Sequence, residues 1–555
     1  MSDDNELVFA PLGGLGEVGM NCALYGFGPP RSRKWLMVDL GVAFAGDDLP
    51  GVDLILPDVG FVERVKKDLV GVIITHAHED HIGALADLWP RLGAPVYATR
   101  FAAGLAETRR LGEAGAPKIP MKIVAPGARL DVGPFDVEFI AMAHSIPESC
   151  ALAIRTPAGL IVHTGDWKID LTPTIGAPTD ERRLRELGDE GVLALICDST
   201  NVLREGESPS EADVAKSLAA LVAQAKGRVL VTTFASNVAR LRAAAEAGFA
   251  AGRQVMMLGR AIERVVAVAR ECGYFDGVPP LLGAEPFGRV ARDKALALAT
   301  GSQGESRAAL ARIAEGEHPN ATLADGDRVI MSSRTIPGNE RAVGKIVNAL
   351  AANGVEVITD RSALVHVSGH PRRAELAKLY SWLKPKIAVP AHGEPVHLIE
   401  HLAFARAQGV GQTVRALNGD VVRLADGDAR VIGRIDHGRL FKDGDILVSE
   451  KDECVGQRRR LAVAGVVSIA LALTAKGEMA GDPDVIIAGL PKTTRLGAGL
   501  DAVVDAAIFE TFESLPRGKR RDPDFVCGAI ERAVRNAVGA EWGKKPMVHV
   551  LIVET

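Results

Sequence analysis

The chain has 555 residues, which at roughly 150 residues per domain indicates about three to four domains and a large buried core. Its 47% hydrophobic and 24% charged residues are typical of a soluble globular protein and exclude a disordered or collagen-like chain. A net charge of −5 and an aromatic content of 5% both argue mildly against a nucleic-acid partner.

The six cysteines are far apart and form no CxxC pair, which argues against disulfides and a thiolate zinc site and fits a reducing cytoplasm. The acidic start, MSDDNELVFAP, lacks the basic and apolar regions of a signal peptide. The longest uncharged apolar run, residues 461–475, has 15 residues, short of the roughly 20 that cross a bilayer. We therefore expect no membrane contact, and we predict that this run is a buried strand or helix.

Short β-rich runs separated by glycine turns dominate the first 200 residues. The first group is LVFAPL (7–12), NCALYGFG (21–28), KWLMVDLG (34–41) and GVIITH (71–76). The second group is MKIVAP (121–126), FDVEFIAMA (135–143), CALAIRT (150–156), GLIVHTGD (159–166) and LALICDST (193–200). This pattern predicts two packed sheets with helices outside them.

The pattern of predicted elements changes at residue 208. Ser208-Pro209-Ser210-Glu211 predicts a capping box with proline at the first helical position, and strands then alternate with helices. Such alternation indicates a separate parallel sheet. KIAVPAHGEP (386–395) predicts a return to the first sheets, and residues 416–450 form a connector. The remainder is predicted to hold helices at 501–514 and 524–540 and a last strand, MVHVLIVE.

The strongest motif is His76-Ala77-His78-Glu79-Asp80-His81, which directly follows the apolar strand GVIIT. A turn after a strand can direct several side chains at one point, and imidazole with carboxylate is a ligand set suited to Zn²⁺ or Mn²⁺. A single histidine is usually a core or surface residue. Four potential ligands within six residues instead predict a metal site.

Further ligand types follow other predicted strands: His144 after FDVEFIAMA, Asp166 in HTGD and His392 after KIAVPA. Each alone could be an ordinary polar residue at a strand end. Together with the motif they supply the about seven ligands that two metals about 3.5–4 Å apart require. We predict one metal held by His76, His78 and His144, a second held by Asp80, His81 and His392, and Asp166 as the bridge between them.

HxHxDH, a later histidine and the aspartate of HTGD together resemble the metallo-β-lactamase superfamily. The resemblance makes Asp39 of LMVDLG the aspartate that orients the histidine cluster. From Asp166 to His392 is 226 residues, far more than a plain member needs, and the excess fits the inserted α/β segment. That layout resembles the β-CASP nucleases, whose motifs A, B and C match Asp198, His370 and His392.

Within that group the chain resembles the ribonuclease J family over its whole length. The matching motifs are GGLGEVGMN (13–21), THAHEDHIGA (75–84), TFASN (233–237), MSSRTIPGNE (331–340) and HVSGH (366–370). The resemblance implies a metallo-β-lactamase αββα sandwich over 1–207 and, with a linker, 371–450. It also implies an inserted parallel-sheet β-CASP domain over 208–370 and a small α/β C-terminal domain over 451–555.

The resemblance further implies a ribonuclease that degrades and matures single-stranded RNA in mRNA decay and ribosomal RNA processing. Its expected activity is 5′-to-3′ exonucleolytic, preferring a 5′ monophosphate, with a capacity for endonuclease cleavage. The expected cofactors are two Zn²⁺ or Mn²⁺ per active site. A homodimer or homotetramer, a cytoplasmic location and a place in an RNA-degradation complex are also implied.

Roles for individual residues follow from the same resemblance. Two cations sharing a water would supply the attacking hydroxide and offset phosphoryl charge. Asp80 and Asp198 are expected to be catalytic together with His370, which would protonate the leaving 3′ oxygen. The alternative is that His370 only binds phosphate.

The expected 5′-phosphate pocket is lined by Ser236, Asn237, His366, Val367, Ser368, Gly369 and His370. Ser236 and Asn237 could instead be ordinary turn residues. A structural Ca²⁺ outside the active site would involve Gly51, Asp53 and Asp443.

Four other interpretations of the sequence have less support. Gly14-Leu15-Gly16-Glu17-Val18-Gly19 satisfies a dinucleotide-binding pattern, but a strand rather than a helix follows it, so we predict a tight hairpin turn. An endonuclease of the same fold stays open. A thioester or lactam hydrolase is disfavoured by the 226-residue gap, and an RNA-binding scaffold by the full set of ligand positions.

Overall fold

The computed structural model describes residues 5–112, 115–336, 338–425 and 427–555. Residues 1–4 of the acidic start and Pro337 of the motif at 331–340 therefore lie outside the described residues. The chain forms two compact units. The larger contains the described residues up to Ala43 with Leu56–Arg439, and the smaller contains Phe44–Ile55 with Leu440–Thr555.

Up to residue 198 the chain is rich in strands. These are β1 (Glu6–Gly13), β2 (Cys22–Gly28), β3 (Lys34–Val38), β4 (Ala43–Phe44), β5 (Leu54–Pro57), β6 (Leu69–Ile73), β7 (Val96–Ala98), β8 (Met121–Ile123), β9 (Arg129–Val132), β10 (Phe135–Ala141), β11 (Cys150–Thr156), β12 (Gly159–His163) and β13 (Val192–Asp198). The helices are α1 (Gly60–Arg64), α2 (Glu79–Ile82), α3 (Leu85–Leu92), α4 (Arg100–Gly112) and α5 (Glu181–Glu190).

From residue 199 to residue 413 helices and strands alternate, and five consecutive strands between Gln412 and Ser449 then precede the last helices. The helices are α6 (Glu211–Gln224), α7 (Val238–Ala250), α8 (Arg260–Glu271), α9 (Ala309–Ala314), α10 (Glu340–Ala352), α11 (Arg373–Leu383), α12 (Pro395–Ala407), α13 (Glu453–Ala464), α14 (Leu500–Ser514) and α15 (Pro523–Trp542). The strands are β14 (Val229–Thr232), β15 (Gln254–Leu258), β16 (Ala295–Ala299), β17 (Arg328–Met331), β18 (Glu356–Ile358), β19 (Ile387–Ala391), β20 (Gln412–Thr413), β21 (Asp420–Arg423), β22 (Arg430–Arg434), β23 (Arg439–Asp443), β24 (Ile446–Ser449), β25 (Val466–Leu473), β26 (Asp484–Ala488) and β27 (Met547–Glu554). Short 3-10 turns lie at Lys66–Asp68 and Arg292–Lys294.

Two large sheets form the body of the larger unit, in the strand orders β22-β21-β1-β2-β3-β6-β7-β8 and β20-β19-β13-β12-β11-β10-β9. One buried core joins Phe9 and Tyr25 of the first sheet to Phe139 and Ile196 of the second. Fully burying a side chain of this kind stabilises the fold by about 1.5–3 kcal/mol. α5, α11 and α12 pack on the other face of the second sheet. The predicted sandwich of two sheets with outer helices is confirmed.

The inserted segment has its own sheet, β15-β16-β14-β17-β18, in which all neighbours are parallel. Its core is built from side chains of the strands and of α9 and α10, including Leu230, Leu310 and Ile346. The chain then returns to the second large sheet, where β19 pairs in parallel with β13. Both the separate parallel sheet and the return at 386–395 are confirmed.

The predicted start of the first inserted helix is wrong. α6 begins at Glu211, its N-cap is Ser210 rather than Ser208, and the acid of the capping box is Asp213. Glu211 is not available for capping because its carboxylate is buried against Arg240 of α7, with Oε2 3.0 Å from Nη2. Both Ser208 and Ser210 are suitable N-cap residues by sequence. The ion pair of Glu211 with Arg240 of α7 favours the start after Ser210.

In the smaller unit, α14 and α15 pack on one sheet, β26-β25-β27, and share a core with Ile469, Ile508 and Ile530. The predicted helices and last strand are confirmed to within two residues. The run 461–475 is not one element, because Gly465, with φ 64°, ends α13 before β25 begins. A search of the described residues finds no helix with the length and apolarity needed to cross a membrane. The domain boundaries expected from the sequence, at residues 207, 370 and 450, remain predictions.

Candidate metal centre

The ends of parallel strands from both large sheets place the polar residues of the site. β3 is parallel to β6, and β12, β13 and β19 are parallel to one another. Residues after parallel strands lie at the same edge of a sheet. Asp39 follows β3, His76 follows β6, Asp166 follows β12, Asp198 ends β13 and His392 follows β19. Asp39 and His392 have positive φ values of 63° and 49°, a conformation that persists where surrounding structure enforces it.

His76, His78 and His144 converge on one point. His78 Nδ1 lies 3.1 Å from His76 Nε2 and 3.0 Å from His144 Nε2. Asp166 Oδ2 lies 3.7 Å from His76 Nε2 and 3.8 Å from His144 Nε2. One possible ligand atom from each of the four residues lies within 4.8 Å of all the others. The structure brings together the residues predicted for the first metal.

Asp80, His81 and His392 form a second group around the same Asp166. Asp166 Oδ2 is 3.3 Å from His81 Nε2, and Asp166 Oδ1 is 2.7 Å from His392 Nδ1. Asp80 Oδ2 is 3.6 Å from His81 Nε2 and 3.4 Å from His392 Nε2. Their possible ligand atoms again lie within 4.8 Å of one another. Asp166 belongs to both groups, at the position expected of a bridge.

Outside partners fix the orientation of three of these histidine rings. They are Thr75 Oγ1 at 3.0 Å from His76 Nδ1, Asp39 Oδ2 at 2.7 Å from His81 Nδ1, and Gly369 O at 2.7 Å from His144 Nδ1. A partner on Nδ1 selects the tautomer whose Nε2 lone pair is free for a metal. His392 Nε2 is buried without a hydrogen bond. Buried imidazole and carboxylate donors that converge in this way fit a pair of divalent cations.

Burial keeps the first set of histidines neutral. It lowers the pKa of His78 to about 4 and the pKa values of His76 and His144 well below the usual value. Neutral imidazole is the form that binds a metal. These rings therefore need no deprotonation at neutral pH before they can act as ligands.

The carboxylates dominate the second group. Burial alone would lower the pKa values of His81 and His392, but Asp166 and Asp80 outweigh it, so the pKa of His81 is raised and that of His392 rises to about 10. The pKa of Asp166 is lowered in spite of burial because His392 and His81 stabilise its charge. At neutral pH these two rings therefore hold their protons in the metal-free protein, and each would release one when a cation takes its place beside the carboxylates.

His370 lies beside the second group and forms a third possible ligand set with Asp166, Asp198 and His392. Its Nδ1 is 2.7 Å from Asp198 Oδ2, and Asp198 Oδ1 accepts hydrogen bonds from Thr200 N at 2.8 Å and Thr200 Oγ1 at 2.7 Å. Burial alone would lower the pKa of His370, but Asp198 and Asp166 raise it. The arrangement can hold a proton on His370 beside the metal groups.

The other residues of HVSGH mostly make contacts within the protein. Gly369 O receives the hydrogen bond from His144, and Ser368 Oγ accepts one from Asn201 Nδ2 at 2.8 Å. Val367 is buried. The segment is thereby fastened to both the metal groups and the loop after β13.

His366 has a different environment. Its Nδ1 is buried without a hydrogen-bond partner. Burial, followed by the charges of Arg240, Arg334 and Lys168, lowers the pKa of His366 to about 3. Arg240 is paired with Glu211 and Lys168 with Asp170, so the free ring nitrogen and Arg334 are the groups left to stabilise an anion.

Ser236 and Asn237 lie at the start of α7. The Asn237 side-chain oxygen accepts a hydrogen bond from Arg240 N at 3.0 Å and caps the helix. Ser236 is half-buried. Asn237 therefore has a structural role as a helix cap, which agrees with the alternative that it is an ordinary turn residue.

The residues expected to hold a structural cation do not fit one. Asp443 Oδ2 lies 2.5 Å from Arg458 Nη2. A Cβ on Gly51 would lie 2.8 Å from Arg458 Nη1, and Asp53 Oδ2 accepts a hydrogen bond from Gly444 N at 3.1 Å. A guanidinium already neutralises Asp443, so a Ca²⁺ there would meet a positive charge.

Sequence reasoning missed four residues that support the site. Thr75, which binds both Asp39 and His76, is marked only by its place directly before the motif. Thr200 and Asn201 follow Asp198 in CDSTN. Three side-chain donors directly after a strand could have indicated from sequence that this loop supports the site. Asn21 contacts Asp80 across 59 residues, which no local pattern indicates.

Comparison with known families covers most of the chain. Residues 18–226 match the metallo-beta-lactamase superfamily and residues 226–350 match the ribonuclease J beta-CASP domain. Residues 354–416 match the Zn-dependent metallo-hydrolase RNA specificity domain, and residues 453–555 match the ribonuclease J C-terminal domain. The order of these domains is the one expected from the motifs.

Full-length relatives carry a consistent name. A protein of Sinorhizobium meliloti named ribonuclease J is 51% identical over 554 residues, covering 100% of this chain and 98% of the relative. Proteins of the same name from Mycolicibacterium smegmatis and Corynebacterium glutamicum are each 38% identical, covering 98% and 99% of this chain and 96% and 76% of the relatives. A solved Enterococcus faecalis protein of unknown function shares the fold, with a TM-score of 0.53 at 16% identity over 75% of this chain and all of its own.

Proposed function

This chain belongs to the ribonuclease J family and is a metal-dependent ribonuclease, and we propose that it degrades single-stranded RNA in the 5′-to-3′ direction from 5′-monophosphate ends. The observation that carries the proposal is the pair of His/Asp groups that share Asp166. Hydrolysis of a phosphodiester to a 5′ phosphate and a 3′ hydroxyl needs charge neutralisation and an activated water, which such a pair supports.

The residues that would hold the cations are those of the two groups. His76, His78 and His144 would bind one, Asp80, His81 and His392 the other, and Asp166 both. When bound, two divalent cations supply hydroxide at neutral pH and offset charge on the phosphoryl oxygens. Asp39, through His81, keeps the donor atoms oriented before substrate arrives.

His370 is the proposed general acid. Its Nδ1 is tied to Asp198, so Nε2 is the atom that can carry a proton to the leaving 3′ oxygen. Asp198 supports the charged form of the ring, and Thr200 holds Asp198 in place. The products would carry a 5′ phosphate and a 3′ hydroxyl.

The proposed 5′-phosphate pocket involves His366 to His370 with Ser236 and Asn237. The buried free Nδ1 of His366 and the charge of Arg334 support an anion at this place. A closed pocket sized for one phosphate would disfavour a triphosphate, which is bulkier and carries more charge. The helix-capping use of Asn237 makes it a residue that shapes the pocket.

Other parts of the proposal concern cofactor, assembly and location. Zn²⁺ or Mn²⁺ are both suited to His/Asp donors. A homodimer or homotetramer, which the family resemblance implies, is part of the proposal, and six free cysteines fit a cytoplasmic enzyme. Domains at 1–207 with 371–450, at 208–370 and at 451–555, and work within an RNA-degradation complex, complete the proposal.

One cleavage experiment tests the direction and the end preference. Single-stranded RNA labelled at its 3′ end and carrying a 5′ monophosphate or triphosphate is incubated with the protein and Mn²⁺ or Mg²⁺. We expect the monophosphate RNA to fall to mononucleotides without intermediates and the triphosphate RNA to react more slowly. His76→Ala, which removes one donor, serves as the inactive control.

Circular RNA separates this proposal from an endonuclease of the same fold. An enzyme that needs a 5′ end cannot cut a circle, so the circle should survive while its linear form disappears. Discrete internal fragments from circular and linear RNA at equal rates would overturn the proposed exonuclease.

A further inference from the structure

The loop of residues 14–21 between β1 and β2 has no role in the chemistry above, although the sequence marks it strongly. Gly14, Gly16 and Gly19 have positive φ values of 83°, 88° and 95°, which side chains rarely adopt. The loop joins antiparallel neighbours, which confirms the predicted hairpin, but its eight residues between Gly13 and Cys22 are longer than the tight turn that was predicted. Its unusual backbone brings it against two segments that carry predicted metal ligands.

At one end of the loop, Asn21 contacts the segment of Asp80 and His81. Asn21 N donates to Asp80 O at 2.9 Å, and Asn21 Nδ2 donates to the same oxygen at 3.2 Å. Nδ2 also lies 3.4 Å from Asp80 Oδ2 and 3.0 Å from His81 Nε2. The amide group thus faces the donor atoms that both residues offer to the second cation.

The orientation of this amide is set by Gly14. A Cβ on Gly14 would lie 2.3 Å from Asn21 Oδ1, so only glycine leaves room for the oxygen there. With Oδ1 packed against Gly14, Nδ2 faces Asp80. An N–H that donates to a ligand carboxylate restricts its rotation and keeps its lone pairs aimed at the metal.

At its other end the loop contacts the segment of His392. Gly16 N donates to Gly393 O at 3.0 Å, and Gly393 N donates to Gly14 O at 3.3 Å. Gly393 directly follows His392. Two backbone hydrogen bonds therefore hold the third residue of the second group to the same loop.

The loop itself is anchored from outside the site. Asn418 Nδ2 donates to Glu17 Oε1 at 2.6 Å, and Arg439 Nη2 lies 2.7 Å from Glu17 Oε2. Asn418 Oδ1 also accepts a hydrogen bond from Leu15 N at 3.0 Å. These contacts fix the loop without touching any predicted ligand.

These contacts are confined to one of the two groups. Among the residues that the structure describes, the loop makes no hydrogen bond to His76, His78 or His144. We propose that loop 14–21 is the positioning element for the second cation, and that Asn21 is the positioning residue for Asp80. The inference rests on the proposed dinuclear centre, and it adds a group outside the ligands that controls how tightly the second cation binds.

Metal content tests the inference without recourse to activity. Metal-free protein is loaded with Mn²⁺, freed of excess metal by gel filtration and analysed by mass spectrometry for manganese per chain. We expect about two ions in the unchanged protein and about one in Asn21→Ala, because losing such a partner weakens metal binding about 10–100-fold. Asn348→Ala, which changes an exposed asparagine of α10 outside the site, should keep about two.

Double variants identify which ion is lost. His392→Ala removes a donor of the second group and His144→Ala a donor of the first. Asn21→Ala combined with His392→Ala should still bind about one ion, since both changes affect the same position. Asn21→Ala combined with His144→Ala should bind almost none.

The reverse pattern in the double variants, or full metal content in Asn21→Ala, would overturn the role of the loop. If Asn21→Ala does not fold, Asn418→Ala loosens the loop from the outer side and should weaken the second ion alone, by a smaller factor. Fewer than two ions in the unchanged protein would instead overturn the dinuclear centre itself, which separates the two failures.

Discussion

His370 and Asp198 form a hydrogen-bonded pair, with Nδ1 2.7 Å from Oδ2, although 172 residues separate them in the chain. Asp198 ends β13 of the sandwich, whereas His370 follows the whole inserted sheet. The pair therefore joins the end of a sandwich strand to the segment by which the chain returns from the insertion.

The first prediction concerns pH. The Asp198 carboxylate raises the pKa of His370, so the acid keeps its proton to higher pH and activity falls as pH rises through that pKa. Asp198→Asn removes the negative charge and should move the alkaline limb of the rate profile about 1–3 units toward lower pH. Single-turnover rates measured across pH give the shift. An alkaline limb that stays in place would show that another group supplies the proton.

A second prediction separates acid catalysis from phosphate binding. His370→Ala should lower the single-turnover rate at saturating RNA by about 10²–10⁴-fold, because the leaving 3′ oxygen loses its proton donor. An RNA with a bridging 3′ sulfur at the scissile bond needs no proton on its leaving group and should be cut at a nearly unchanged rate. If saturating RNA restores the ordinary rate in His370→Ala, the residue only binds phosphate.

A third prediction concerns the partner of His81. Asp39 Oδ2 accepts from His81 Nδ1 at 2.7 Å, and Asp39 Oδ1 accepts from Thr75 N at 2.7 Å. Asp39→Asn should weaken metal binding about 10–100-fold, since the ring loses the charge that fixes its tautomer. Competition with a chelator measures the affinity, and the exposed Asp131→Asn is the control. Equal affinities in both variants would remove this role from Asp39.

A fourth prediction concerns stability of the inserted segment. Arg240 is fully buried, pairs with Glu211 and donates to Val365 O at 2.9 Å. Arg240→Met should cost about 3–5 kcal/mol in unfolding free energy, because it leaves the Glu211 charge buried without a partner. Arg182→Met breaks an exposed pair with Glu186 and should cost about 0–1 kcal/mol. Denaturant unfolding of both variants compares them, and equal losses would contradict the assigned cost.

The seven residues of the two metal groups were accessible from sequence because each follows a recognisable apolar strand. His76 to His81 are also adjacent, so their chemistry is visible in one motif. Asp166 and His392 are 226 residues apart, yet they meet because β12, β13 and β19 are parallel neighbours. The order of the strands in the sheet therefore explains why motifs far apart in the sequence form one site.

Contacts that depend on tertiary packing were not accessible. The hydrogen bonds of Asn21 to Asp80 need the exact fit of the glycine loop, and the helix start at Glu211 needs Arg240 from another helix. The inference from net charge was wrong in direction, since the chain is a ribonuclease with a net charge of −5. The net charge is a sum over the whole chain and does not describe the local charge at a site. At His366, for example, Arg240, Arg334 and Lys168 all lower the pKa of the ring.

The most direct test of the central claim is the cleavage rate as a function of metal added to metal-free protein. Mn²⁺ is supplied in steps from zero to about four equivalents, and single-turnover cleavage of 5′-monophosphate RNA is measured at each step. Two groups that share Asp166 predict little activity at one equivalent and a steep rise to a plateau near two. A rate that reaches its plateau at one equivalent would contradict the two-metal account, and no cleavage at any step would contradict the ribonuclease itself.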